Sequence, residues 1–370
     1  MAETGRKFRL EKEGLDRLLD ALNSAGYRSI AALQRDGTVM WETISSADAL
    51  PWNRREDQRP GHYRLNDYGS GRCFDITHGP QSLKPLTFAP REPLTTVRRD
   101  TDCSTLTFYP QKPVAEKIAV LGARACDIAA LAIQQRVLEE GEYTDPFFTA
   151  RKDALFIVAV HCTRAAETCF CASMGCGPKA ESGFDIALTE LDELFLIESG
   201  SRQGETIVAA LALPRADAEL IDRAEGEIQA CAASQSRGID QQGLPQALYE
   251  AHNHPHWDDV ASRCLSCTNC TMVCPTCFCH AVEEVPSMDR SESDRFRVWD
   301  SCFSPEHGYI HGKNMRPTTR ERYRMWMTHK LGSWIGQFGT SGCVGCGRCT
   351  TWCPAGIDFV EEYRQVRREA

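Results

Sequence analysis

The pattern of apolar and polar positions divides the chain into a first part that alternates strands with helices and a second part rich in helices. Within residues 8–25 four leucines recur at helical spacing before a glycine, which predicts a short amphipathic helix. The run KIAVLG, which begins at Lys117, is typical of a buried strand that ends at a glycine. The segment CDIAALAIQQRVLEE directly after it predicts a helix.

Further runs extend this alternation. ALFIVAV (154–160), FLIES and TIVAALAL are interpreted as strands, and residues 215–236 as a helix. Residues 45–115 are rich in Pro, Gly and Arg, which favours short strands and loops that no period locates. Alternating strands and helices predict an α/β unit with some parallel pairing.

The composition changes within residues 238–245, which predicts a domain boundary there. Beyond it, helix-prone segments such as TTRERYRMWMTHKLGSWI surround the cysteine motifs. We therefore expect an α+β protein. A domain with a mixed sheet (1–240) would precede a mostly helical, two-cluster ferredoxin-like domain (241–370).

Charge and cysteine content narrow the function. The 370 residues carry a net charge of −9, which argues against nucleic acid or an anionic membrane as the main partner. The start, MAETGRKFRLEKEGLDRLL, lacks the apolar stretch of a signal peptide, so we expect a cytoplasmic protein. In a reducing compartment 19 cysteines indicate metal or redox chemistry rather than disulfides, and 11 of them lie between Cys264 and Cys353.

Two runs of cysteines share one spacing. CLSCTNCTMVCP and CVGCGRCTTWCP both follow C-x2-C-x2-C-x3-C-P, the ligand run of two-cluster ferredoxins, in which the fourth cysteine of each run ligates the other cluster. Small residues between the cysteines let the backbone approach a cluster closely. We therefore predict two [4Fe-4S] clusters, with these ligands: Cys264, Cys267, Cys270 and Cys353 for the first, and Cys343, Cys346, Cys349 and Cys274 for the second.

Structural zinc is the alternative for these runs. Zinc takes four ligands, usually as two separated pairs, so it would leave half of the eight thiolates without a role. Two adjacent clusters without a substrate motif indicate electron transfer. The 68 residues between the runs contain Cys277, Cys279 and Cys302, for which packing beside the clusters is favoured over ligation.

A third site is a separate hypothesis. Cys126 follows the strand KIAVLG, and Cys162 follows ALFIVAV. If these strands are parallel neighbours, both cysteines emerge at one carboxyl edge of the sheet, where α/β folds place ligands. The loop that follows adds Cys169 and Cys171, so these four are candidate ligands of a third [4Fe-4S] cluster, with Cys176 as a substitute.

Other chemistry is not indicated by motifs. No G-x-G-x-x-G follows a strand and no P-loop is present, so we expect neither a flavin nor a nucleotide on this chain. We predict no catalytic residue and no cofactor beyond the clusters.

From about residue 85 onward the sequence resembles a known family. The chain is similar to the beta subunit of cytoplasmic [NiFe] sulfhydrogenases, and equally to the iron–sulfur subunit of anaerobic sulfite reductase, which is built on the same plan. The segments that carry the resemblance are GARACDIAAL, YTDPFFTARKD, CFCASMGCGP, FDIALTELD, CLSCTNCTMVCPTCFC, WDSCFSPEHGYIHG and QFGTSGCVGCGRCTTWCP. The first 80 residues carry little of it.

The resemblance implies an iron–sulfur electron-transfer subunit of a soluble multi-subunit oxidoreductase. Its implied partners are a flavin subunit that binds NAD(P)H and the small and large subunits of a [NiFe] hydrogenase, or a sirohaem subunit in the sulfite reductase alternative. It favours the third site, but Cys176 stands where relatives more often have another residue. A structural zinc protein remains the alternative from a different class.

Overall fold

The computed structural model describes residues 6–100 and 105–368. Its strands are β1 (Lys7–Glu11), β2 (Arg28–Arg35), β3 (Thr38–Thr43), β4 (Arg54–Arg59), β5 (His62–Asp67), β6 (Arg91–Arg99), β7 (Leu106–Pro110), β8 (Ile118–Ala123), β9 (Leu155–Val160), β10 (Ile186–Glu190), β11 (Leu194–Ser199), β12 (His280–Pro286), β13 (Glu292–Trp299), β14 (Tyr309–Ile310) and β15 (Lys313–Asn314).

The helices alternate with these strands in the first half and dominate the second. They are α1 (Gly14–Ser24), α2 (Lys84–Thr87), α3 (Ala125–Leu138), α4 (Pro146–Asp153), α5 (Arg202–Ala210), α6 (Ala218–Ala233), α7 (Leu244–Glu250), α8 (His256–Arg263), α9 (Asn269–Met272), α10 (Thr319–Thr328), α11 (Trp334–Phe338), α12 (Arg348–Thr351) and α13 (Phe359–Arg368). None of the helices in the described ranges combines the length and apolar character needed to cross a membrane.

A seven-stranded mixed sheet forms the centre of the first half, in the order β1-β11-β10-β9-β8-β2-β3. Its inner strands β10, β9, β8 and β2 run parallel, while β1, β11 and β3 pair antiparallel at the edges. The predicted strands KIAVLG, ALFIVAV and FLIES correspond to β8, β9 and β11. The parallel pairing of β8 with β9, on which the third-site hypothesis depends, is confirmed.

Both faces of this sheet are covered. Along β9, Phe156 and Val158 pack into one core with leucines of α1 and residues of α5, while Ile157 and Ala159 pack into another with α3. Successive side chains of a strand point to opposite faces, so a strand buried on both faces is a continuous apolar run. This explains why β8 and β9 could be recognised in the sequence.

Two sequence interpretations were wrong. TIVAALAL is not a strand, because it lies in and just after α5, where the Ser201 side chain accepts a hydrogen bond from the Gly204 amide and caps the helix. A short apolar run does not by itself distinguish a strand from a buried helix. The predicted helix within 8–25 is α1, but β1 precedes it and was missed, since only one of its five residues is fully buried.

Strands from both halves of the sequence meet in a four-stranded antiparallel sheet with the order β12-β13-β6-β7. Strand β13 pairs with β6 across nearly 200 positions of the chain. The division at residue 240 stays a prediction. Residues 101–104 of the stretch 45–115 lie outside the described residues.

Helices α7, α8, α10 and α13 enclose an aromatic core around the two cysteine runs. Its largest members include Trp257, Trp326 and Phe359. Between α10 and α11 lies a π-helical turn, His329–Ser333, a feature that often marks functional positions. The expected α+β class, with a mixed sheet followed by a dicluster region built on helices, is confirmed.

Candidate iron–sulfur sites

Four cysteines line one apolar cavity beneath α8 and α10. These are Cys264, Cys267, Cys270 and Cys353, three from the first run and the last from the second. The cavity holds about 460 Å³ of space that protein atoms do not fill, and aromatic side chains such as Phe303 form its wall. The predicted exchange of the fourth ligand between runs matches this grouping, although the ligand assignment itself stays a prediction.

The second group of thiols is buried more deeply. Burial raises the pKa of the Cys349 thiol well above its ordinary value, and the thiolates of Cys343, Cys346 and Cys274 raise it further. Four thiols that would repel one another as thiolates need a multivalent cationic partner, which an iron–sulfur core provides. The donor set at both groups, sulfur alone in an apolar surrounding, therefore fits a [4Fe-4S] cluster.

Left-handed backbone positions shape both loops in the same way. Ser266 and Thr268 in the first run have φ angles of 50° and 67°, and Gly345 and Gly347 in the second have 68° and 76°. Each pair flanks the second cysteine of its run, so the two loops follow the same path. This confirms that small residues matter here and gives a sharper reason, because left-handed backbone is costly for larger side chains.

Backbone amides point at the sulfurs of both runs. The amides of Ser266 and Gly345 donate to the first cysteine of their own run, at 3.4 Å from Cys264 Sγ and 3.5 Å from Cys343 Sγ. The Ile357 amide donates to Cys353 Sγ at 3.4 Å. Such N–H···S bonds stabilise negative charge on sulfur and so raise cluster potentials.

The third group of cysteines also shares a cavity, of about 340 Å³. Cys126, at the start of α3, and Cys162, directly after His161 at the end of β9, meet Cys169 and Cys171 from the following loop. Cys176 does not line this cavity. Its Sγ lies 3.4 Å from the carbonyl oxygen of Met174, and burial together with Cys346 raises its pKa to about 11.

Sequence reasoning missed several side chains around this third cavity. Cys231 of α6 lines it, as do Arg124 and Gln235. Gln235 Nε2 lies 3.3 Å from Cys171 Sγ, and Arg124 Nη1 lies 4.0 Å from Cys162 Sγ. No spacing rule connects Cys231 to the other cysteines. Arg124 had a signal in its position, since it follows a buried strand at the sheet edge where ligands bind.

The second and third groups are built against each other. Cys346 of the second run lines the third cavity, and the Phe170 amide donates to the Gly345 carbonyl at 2.8 Å. A fully buried ion pair joins Arg348, between two cysteines of the second run, to Asp127, next to Cys126, at 2.9 Å. Because such a pair is costly to bury, it is retained only with precise geometry, and it fixes the two loops relative to each other.

Two buried lysines supply positive charge to the dicluster region. Lys330, on the π-helical turn, places its Nζ 3.4 Å from Cys274 Sγ, with Thr276 and the Gly342 carbonyl as further acceptors. Lys84 lies over the Trp299 ring and donates to the Thr271 carbonyl. Among the described residues neither lysine has a carboxylate partner within ion-pair distance, so thiolates are their nearest counter-charges.

This combination defines an iron–sulfur protein with paired cubane sites. In agreement, residues 263–357 match the family model of the 4Fe-4S dicluster domain, and this domain carries two [4Fe-4S] clusters.

The chain is also 34% identical over 255 residues to sulfhydrogenase 2 subunit beta of Pyrococcus furiosus, an alignment that covers 68% of this chain and 74% of that protein. It therefore belongs to the family of sulfhydrogenase beta subunits. No solved structure matches it.

Proposed function

We propose that this chain is the electron-transfer subunit of a multi-subunit oxidoreductase and relays electrons between a flavin subunit that binds NAD(P)H and a [NiFe]-hydrogenase module. The similarity to a sulfhydrogenase beta subunit supports a hydrogenase module rather than a sirohaem subunit. Bound clusters would supply one-electron carriers, and this chain's residues would hold them, insulate them and set their potentials.

The observation that carries the proposal is the contiguity of three thiol groups. Cys349 of the second run contributes to the wall of the first cavity, and Cys346 to that of the third. The second group therefore lies between the other two. The ligand sets proposed from the sequence fit this order: Cys264, Cys267, Cys270 and Cys353; then Cys343, Cys346, Cys349 and Cys274; then Cys126, Cys162, Cys169 and Cys171.

Burial gives the row a direction. Cys267 of the first group is exposed, and the adjacent Leu265 is 66% exposed. Cys126, Cys169 and Cys171 of the third group are all buried. We infer that a partner subunit exchanges electrons at the first group, because the transferring centre must come close to the protein surface.

Iron and sulfide analysis of anaerobically purified protein tests the sites. Three cubanes require about twelve irons per chain and two require about eight, since each [4Fe-4S] cluster holds four. Cys162→Ser is expected to lose one cluster, whereas the matched control Cys176→Ser, in the same segment but outside the cavity, is expected to keep full iron content. Equal iron in both variants would remove the third site.

Partner identity needs a separate experiment. Purification of the native complex through this chain should recover a nickel-containing subunit together with a flavin subunit. Recovery of sirohaem in place of nickel would establish the sulfite reductase alternative, and zinc in place of iron would eliminate the electron-transfer role altogether.

A further inference from the structure

Three cysteines between the two runs are outside all the sites described above, and two of them form a pair. Cys279 directly precedes β12, and Cys302 follows β13. The β12–β13 ladder pairs His280 with Trp299 and continues through the Asp300 amide, which donates to the Cys279 carbonyl at 2.9 Å. The fold therefore brings residues 279 and 302 together at one end of a hairpin.

The two side chains are in direct contact. The Cys279 and Cys302 thiols are hydrogen-bonded to each other, and the Cys302 amide also donates to the Cys279 sulfur. Both side chains are half-buried. Contact between two thiols on adjacent strand ends is the arrangement from which a disulfide forms with little backbone movement.

His307 completes the group. It is hydrogen-bonded to the Cys279 sulfur, and its Nδ1 lies 2.6 Å from Asp300 Oδ2. The hydrogen bond from Cys302 lowers the pKa of Cys279 to about 4, and His307 lowers it further, while the same thiol contact raises the pKa of Cys302. The hydrogen bond to Cys279 raises the pKa of His307 to about 8. A thiolate beside a thiol and an imidazolium is the environment of a reactive cysteine.

A mononuclear metal fits this group less well. Within the described ranges, the group of three potential ligand atoms that lie within 4.8 Å of one another is His256, Asp259 and Glu362, and the cysteine pair with His307 does not form such a group. Arg263 already donates to both carboxylates of that other group, so it lacks a free charge for a cation.

The pair lies close to both cysteine runs. Cys302 is within electrostatic range of Cys270 in the first run. Cys279 is within range of Cys277, whose thiol is hydrogen-bonded to Cys274, the fourth cysteine of that run. The charged group facing the pair from another element is Lys84 of α2.

We propose that Cys279 and Cys302 are a redox-active dithiol that forms a reversible disulfide beside the two clusters. When two electrons arrive, the S–S bond breaks, Cys302 takes up one proton from solvent, and Cys279 remains a thiolate held by His307. Oxidation reverses this and returns two electrons and one proton. The electrons exchange with one-electron iron–sulfur carriers, and only this source rests on the proposed function.

Thiol mapping of the complete iron-loaded protein tests the pair without any activity assay. The protein is equilibrated anaerobically in dithiothreitol buffers of stepwise disulfide content, quenched in acid, alkylated and digested. We expect a peptide that links Cys279 to Cys302 and is replaced in one transition by two alkylated peptides. Separate alkylation of the two cysteines in every buffer would overturn the proposal.

Variants separate the pair from the clusters. Cys302→Ser should abolish the linked peptide and leave iron and sulfide content unchanged, as should the matched control Cys73→Ala for iron, with the linked peptide retained in the control. Loss of iron in Cys302→Ser would show that Cys302 is a cluster ligand and would overturn the proposal. A linked peptide in protein that lacks a relay partner would support the pair while the proposed function fails.

Discussion

Lys330 is expected to set the potential of the second cluster, and Lys330→Met tests this. Burial alone lowers the pKa of Lys330, but the thiolates of Cys274, Cys277 and Cys343 raise it well above the ordinary value, so the side chain remains a cation. Methionine has a similar length and no charge. Reduction adds negative charge next to this cation, so its removal makes the added electron less favourable and lowers the potential.

The magnitude follows from the separation of the charges. Nζ and Cys274 Sγ are 3.4 Å apart, and two unit charges at this distance interact by about 5 kcal/mol at an effective dielectric constant of about 20. The added electron spreads over the whole cluster, so we take about twice this distance, which gives about 2.4 kcal/mol. For a one-electron couple this corresponds to a shift on the order of 100 mV towards more negative potential.

Redox titration monitored by electron paramagnetic resonance measures this shift. The exposed Lys313 of β15 provides the control, and Lys313→Met should leave the potentials unchanged. A shift of less than about 20 mV in Lys330→Met, with full iron content, would refute the reasoning, since it would mean that the lysine is neutral or that the cluster lies elsewhere.

Three further results are expected. Cys231→Ser should keep the third site's iron if the four ligands are those proposed, and loss of four irons per chain would show that Cys231 is a ligand instead. Gly347→Ala should lower the free energy of unfolding by about 1–3 kcal/mol or more, measured in denaturant, because φ is 76° and a Cβ would lie 2.3 Å from the Thr168 carbonyl oxygen. Asp127→Ala should cost about 3–5 kcal/mol, because it leaves the Arg348 charge buried without its partner. A melting temperature within error of wild type would contradict either of the last two.

Local spacing made the dicluster region readable from sequence. The ligand run constrains consecutive residues in one loop, and the same holds for β8 and β9, whose burial on both faces leaves uninterrupted apolar runs. The proposed third site required one tertiary assumption, the parallel pairing of β8 with β9, which is the commonest arrangement for strands joined by a helix.

Features that depend on distant packing were not predictable. Cys231 approaches Cys171 because α6 packs beside β11, and Lys330 approaches Cys274 across more than 50 positions. The Cys279–Cys302 contact was not predicted because the hairpin β12–β13 was not, and most residues of β12 are exposed and carry no clear alternation. TIVAALAL failed for a different reason, since its composition suits both a strand and a buried helix.

The difference between the two cysteine loops has a physical cause. Both need left-handed backbone at matching positions, yet the first uses Ser266 and Thr268 and the second uses two glycines. A Cβ at Gly345 would lie 2.6 Å from the Phe170 carbonyl oxygen. The second loop is thus compressed against the segment that carries Cys169 and Cys171, whereas the first faces its own cavity and the solvent. Close packing was therefore selected where the second and third groups meet, which is where a relay between them would need the shortest distance.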